Sequence, residues 1–209
     1  MELDIFQKIL RAISTVLRAP ITIILIIFIA FAIFSVGWLL VELCTERRHM
    51  KYSLPKLLDE MKNSGQSLEA CITGSGLLKR QKETLLELTR HPDFSKEMLL
   101  SLADNLLEKE QAHYDQILKF TNLVSKLAPM AGLLGTLIPL GPGIIALGQG
   151  DTLTLSNSML TAFDTTVAGL IAGGICLVVH TFRKHWYAAY ISDLESLIDC
   201  VVELEAEHA

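Results

Sequence analysis

The sequence predicts an all-α integral membrane protein with three transmembrane helices and long helical extensions beyond them. Three observations carry this. Residues 20–41 form an uncharged apolar block, PITIILIIFIAFAIFSVGWLLV. Two further apolar blocks, at 127–147 and 159–182, are unusually rich in Gly, Ala and Thr. The segment entering the second block and the segment leaving the third both keep a helical spacing of apolar residues. Apolar residues make up 51% of the 209. That is only slightly above a globular domain's share, so their gathering into blocks, not their number, sets the class.

Residues 1–19 come first. Leu3, Ile5, Phe6, Ile9, Leu10, Ile13 and Leu17 fall close to helical spacing, with Lys8, Arg11 and Arg18 among them. This predicts an amphipathic helix lying along the outer membrane interface. Block 20–41 spans roughly 30 Å at helical rise, the thickness of a hydrocarbon core. It runs into Glu42, Glu46, Arg47 and Arg48 without a small-residue cleavage site, so it is an anchor and not a signal peptide.

Residues 42–126 predict a cytoplasmic helical domain. Tyr52–Lys62 forms one short helix, KNSGQSLEACITGSG breaks the chain, and Leu77–Thr89 forms a second helix. His91 and Pro92 interrupt again. A long amphipathic helix starts near Ser95 and meets no break before the second span, 127–147. In that span PLGPG, with Pro139 and Pro142, predicts a kink or an early stop. Residues 148–158, GQGDTLTLSNS, form an outer loop. The third span, 159–182, runs on into a cytoplasmic C-terminal helix, 183–209, whose Trp186, Tyr187 and Tyr190 suit an interfacial aromatic belt.

Direction follows from basic residues near the span ends. Arg47, Arg48, Lys51 and Lys56 follow the first span, Lys119 and Lys126 precede the second, and Arg183 and Lys184 follow the third. The loop 148–158 has no Lys or Arg. The N-terminus and that loop are therefore expected outside, and the C-terminus in the cytoplasm. Lys8, Arg11 and Arg18 oppose this assignment and are outweighed by the other loops.

Several function classes fall away. A net charge of −5 leaves no basic footprint for nucleic acid. Cys44, Cys71, Cys176 and Cys200 form no CxxC pair and no metal spacing. No nucleophile–base set, phosphate loop or cofactor pattern appears. The sequence gives no reason to expect an enzyme, a metal or a cofactor.

What remains are polar residues inside the spans, each a functional candidate by its cost there. Thr136 lies in the second span, flanked by Gly132 and Gly135. Asp164, Thr165 and Thr166 lie in the third, and His180 lies near its end. The helical period sets Asp164 about 200° from Thr166, so the two do not share a face. Thr136 reads equally well as a site hydroxyl or as a Thr bonded to its own helix. Gly169 and Gly173 form a GxxxG step suited to close helix packing, as Gly132 and Gly135 are in the second span. Long helices with uncovered apolar stripes predict an oligomer.

LAPMAGLLGTLIPLGPG (127–143) resembles the second-span signature of the MotA/TolQ/ExbB proton channel family, an APxxGLLGT-like run that opens the pore helix. AFDTTVAGLIAGGICLVV (162–179) resembles that family's third-span signature. The match covers about residues 110–190, and the three-span layout is similar to the ExbB and TolQ branch. The resemblance implies a pentameric ring whose second and third spans line a central pore. It implies a single-span partner of the ExbD, TolR or MotB type, whose Asp carries the proton. Thr136 and Thr166, with Thr165 adjacent, are the matching pore-lining positions. The chain departs from the pattern at Asp164, in the Pro-rich PLGPG, and in lacking an Ile-Pro pair near Gly174–Cys176. The competing reading is a non-conducting oligomeric scaffold that uses its small-residue spans for packing alone.

Overall fold

The structure is a computed structural model, described for residues 2–49, 54–63, 68–91 and 94–208. Among these residues six helices follow in order: α1 (Glu2–His49), α2 (Leu54–Asn63), α3 (Leu68–Gly74), α4 (Lys79–Thr89), α5 (Lys96–Gly148) and α6 (Thr152–His208). No strand occurs among the described residues. Three helices are long and apolar enough to cross a membrane, within Ala19–Cys44, Lys96–Gly148 and Thr152–Glu205.

The expected continuity of the second and third spans with their extensions appears as α5 and α6, of 53 and 57 residues. Four local expectations are revised. α1 is one helix through Pro20, so no break separates residues 2–19 from the span. The side chains that would make that segment amphipathic, 1–15 and Arg18, lie outside the described residues, as do Tyr52 and Pro92. Part of the stretch expected to be a break, Leu68–Gly74, is helical, and residues 64–67 lie outside the described residues. α5 continues through Pro139 and Pro142 to Gly148, so the span does not stop early at PLGPG. Residues 152–158, expected in a loop, already belong to α6. The turn before them uses Gly150 at φ 76°, a left-handed conformation that glycine adopts without a Cβ clash. Asp151 then caps α6, accepting the Thr154 backbone N–H at 3.0 Å and the Thr154 hydroxyl proton.

The chain divides into two compact units. The first joins Met1–Trp38 to Lys119–Thr181. Its core is built of small side chains: Ala32 of α1, Val124 and Ala128 of α5, and Ala172 and Cys176 of α6, with Phe28, Ile29, Phe31 and Ile175 packed around them. Small residues are what membrane helices use to bring backbones together, because lipid offers no hydrophobic drive for association. Only 17% of the apolar stretch of α1 is buried, against 28% for α5 and 33% for α6. The first span therefore exposes most of its Ile and Phe side chains, as its composition predicts.

The second unit joins Leu39–Leu118 to Phe182–Ala209. Its core has the composition of a water-soluble protein: Leu57 and Met61 of α2, Ile72 of α3, Leu85 and Leu88 of α4, Leu99 and Ala103 of α5, and Leu194, Leu197, Ile198, Val201 and Val202 of α6. The short helices α2–α4 thus cover the apolar stripes that α5 and α6 carry here, a role that the loop reading of residues 68–74 missed.

Candidate functional site

The α5–α6 contact in the first unit is built at glycine. A Cβ placed on Gly169 would lie 2.6 Å from the Ala128 carbonyl oxygen and 2.8 Å from Gly132 Cα. One on Gly173 would lie 2.6 Å from the Pro129 ring, and one on Gly135 would lie 2.8 Å from Thr165 Cβ. All four glycines singled out in the sequence therefore sit in the α5–α6 contact: Gly132 and Gly169 meet backbone atoms of the other helix, Gly173 meets the Pro129 ring and the Ser125 carbonyl, and Gly135 meets the Thr165 side chain. Gly174, next in the chain, has open space around it.

This contact fixes where the polar candidates lie. Thr165 is seated over Gly135, with its Oγ1 2.9 Å from the position a Cβ there would take. It belongs to the helix–helix seam, not to an open face. It also lines a narrow cleft of about 20 Å³ with Ile21, Thr22, Gly135, Ile138, Pro139 and Thr161. Thr136 and Thr166 lie elsewhere. Thr136 is seven residues from Pro129 and Thr166 is seven from Gly173, each offset by only about 20° at helical pitch. Pro129 and Gly173 touch each other. The two threonines thus flank the same seam.

The side of that seam follows from α1. On α5, Val124 and Ala128 share a core with α1, and on α6, Ala172, Ile175 and Cys176 do. Helical phase sets Thr136 and Thr166 more than about 100° from the centre of those stripes. Both therefore occupy the edge of the α5–α6 pair turned away from α1, where Leu133, Leu137 and Leu170 are also exposed. Asp164 is only about 20° from Ile175 in phase, so it lies at the edge nearer α1. It is exposed. By helical phase, then, Asp164 and the two threonines fall on different edges.

Each threonine hydroxyl donates to a carbonyl of its own helix: Thr136 to Leu133 at 2.6 Å, Thr165 to Ala162 at 2.9 Å, and Thr166 to Ala162 at 3.2 Å. A hydroxyl has one proton and two lone pairs. With its proton committed along the helix, what it offers outward is an acceptor. Such outward acceptors suit water, hydronium or the O–H of a protonated carboxyl.

Sequence reasoning missed a second cluster, in the other unit. Arg183 Nε donates to Glu42 Oε2 at 3.0 Å, and Tyr187 Oη donates to Glu42 Oε1 at 2.8 Å. The Arg183 and Glu42 side chains are only 6% and 9% exposed. The available signal was position: Glu42 is the first charge after the first span, and Arg183 the first after Asp164 in α6. Reading both only as charges near span ends hid the pairing.

In the comparisons with known proteins, the sequence model of the MotA/TolQ/ExbB proton channel family matches residues 73–196, more than half of the chain. No curated protein and no solved structure matches it. The matched stretch contains both glycine-seamed spans and all three threonines. The chain is a multi-pass membrane protein that belongs to the MotA/TolQ/ExbB proton channel family.

Proposed function

We propose that this chain is the pore-forming subunit of a proton-driven membrane motor, working as a pentamer in the cytoplasmic membrane. The second and third spans, in α5 and α6, line the pore with Thr136 and Thr166 toward its axis. A single-span partner of the ExbD, TolR or MotB type inserts there and brings the carboxylate that takes up and releases the proton. Proton flow then drives a relative motion that delivers work to energised transport or to an envelope target. In this arrangement the N-terminus lies outside and the C-terminus in the cytoplasm.

The observation that carries the reading is the shared threonine edge. Two outward-facing acceptors lie on one side of a close-packed helix pair, and the one acid of the third span, Asp164, lies on the other. A conducting edge with no acid of its own requires a carboxylate from another chain. Buried carboxyl groups in membranes are costly and are kept where they carry protons. The test is proton flux into liposomes holding the chain alone or with its single-span partner. Flux is expected only with the partner present. Equal flux in both preparations, or none in either, counts against the reading.

A further inference from the structure

Of the arginine–glutamate pairs described in the second unit, the two that join residues far apart in the chain share their chemistry and differ in setting. Arg80 meets Glu110 through two bonds, Nε to Oε2 at 3.0 Å and Nη2 to Oε1 at 2.8 Å. The Arg80 side chain is 44% exposed, so water completes its solvation. That is an ordinary forked staple between α4 and α5.

The Glu42–Arg183 pair is different. Both side chains are withdrawn from water, yet the guanidinium reaches the carboxylate through Nε alone. The other carboxylate oxygen is held by Tyr187, and Arg183 Nη2 is buried with no hydrogen-bond partner among the described residues. Burying two charges is costly, and one bond with an orphaned donor repays it poorly. Stability alone therefore does not account for this pair. What the pair does provide is direction. Glu42 is on α1, Arg183 and Tyr187 are on α6, and the Tyr187 ring packs against Tyr114 of α5 at a centroid distance of 4.6 Å. One carboxylate thus references all three long helices to each other. α6 runs as one helix from Thr166 to Arg183.

We propose that Glu42, through Arg183 and Tyr187, is a positioning residue for proton conduction: it holds α6 at the rotation that keeps Thr166 on the conducting edge. The proposal rests on the reading of α5 and α6 as the conducting pair. Its role is directional, so apolar replacement of both charges preserves assembly and loses conduction.

The test uses the complex purified from membranes and reconstituted in liposomes. Three variants are compared with the parent for assembly, thermal unfolding and proton flux: Glu42→Met with Arg183→Met, Tyr187→Phe, and Thr136→Val. The double variant is expected to assemble and unfold like the parent, with flux at least tenfold lower. Tyr187→Phe keeps the ring that packs on Tyr114 and removes the hydroxyl that donates to Glu42. It is expected to lower flux threefold or more with assembly unchanged. Parental flux in the double variant overturns the proposal. Should the double variant not assemble, Tyr187→Phe decides alone, and parental flux in it overturns the proposal equally. Thr136→Val separates the two ideas. If it conducts normally, the conducting pair is misassigned; if it fails while the Glu42 and Tyr187 variants conduct, only the positioning role is lost.

Discussion

A threonine in a membrane helix is satisfied by its own backbone, and that is what gives Thr136 and Thr166 their chemistry. The proton goes to a carbonyl about one turn back, and the lone pairs remain. Valine has nearly the same shape and no lone pairs. Serine keeps them. Thr166→Ser is therefore expected to retain most of the proton flux that Thr166→Val loses. Thr165 makes the contrast. Its side chain fills the space above Gly135, so shape is its contribution. Thr165→Val is expected to keep flux within about threefold of the parent, a difference under about 1 kcal/mol, whereas Thr165→Leu overfills the seam and blocks assembly. Flux and size-exclusion chromatography on the same preparations check both. At this scale the sequence was only partly legible. The helical period alone separated Asp164 from Thr166. It did not tell Thr165 from Thr166, because that distinction depends on where Gly135 of another helix falls.

At the scale of elements, two kinds of packing coexist on the same helices. In the first unit, α5 and α6 approach until only glycine fits. Gly169→Ala would set a methyl 2.6 Å from a backbone oxygen, so the helices must part. Overpacking of this kind costs about 1–3 kcal/mol, and the expected result is loss of the assembled complex in detergent. Gly174→Ala, with nothing nearby, is expected to assemble as the parent does. In the second unit, large aliphatic side chains from α2 to α6 do the work. Leu85 and Leu197 are fully buried there. Leu85→Ala is expected to destabilise that unit by about 2–5 kcal/mol, read as a lowered denaturation midpoint. The glycine seam was legible because GxxxG is a local pattern with a steric meaning. The position of α3 was not, since a Gly- and Ser-rich stretch reads as a break until Ile72 finds the core formed by α2, α4 and α6. The unbroken course of α5 through PLGPG was also hidden. Proline predicts a lost hydrogen bond, and helix continuation depends on what packs around it.

At the scale of the whole molecule, most of the apolar surface of the spans is uncovered within one chain. Less than a third of the apolar stretch of α5, and one third of that of α6, is buried. In a bilayer that surface meets lipid or other chains, and the glycine-rich helices are the ones suited to other chains. The family match and the three spans were both legible in the sequence, because hydropathy and two short motifs are local signals. The Glu42–Arg183–Tyr187 cluster was not, since Glu42 stands more than a hundred residues from the other two and meets them only in the fold. Orientation belongs to this scale as well. Single cysteines in a cysteine-free background report it. Gln149→Cys is expected to react with an impermeant thiol reagent from outside intact cells, and Glu203→Cys only after permeabilisation. The reverse pattern would invert the chain.

The central claim is that the edge carrying Thr136 and Thr166 conducts protons. Proton flux through the reconstituted complex, with Thr136→Val and Thr166→Val compared with the parent, tests it most directly. The account predicts that both variants assemble normally and that each loses at least nine-tenths of the flux, about 1.4 kcal/mol or more in the barrier. Parental flux in both, in complexes of normal size, would contradict it.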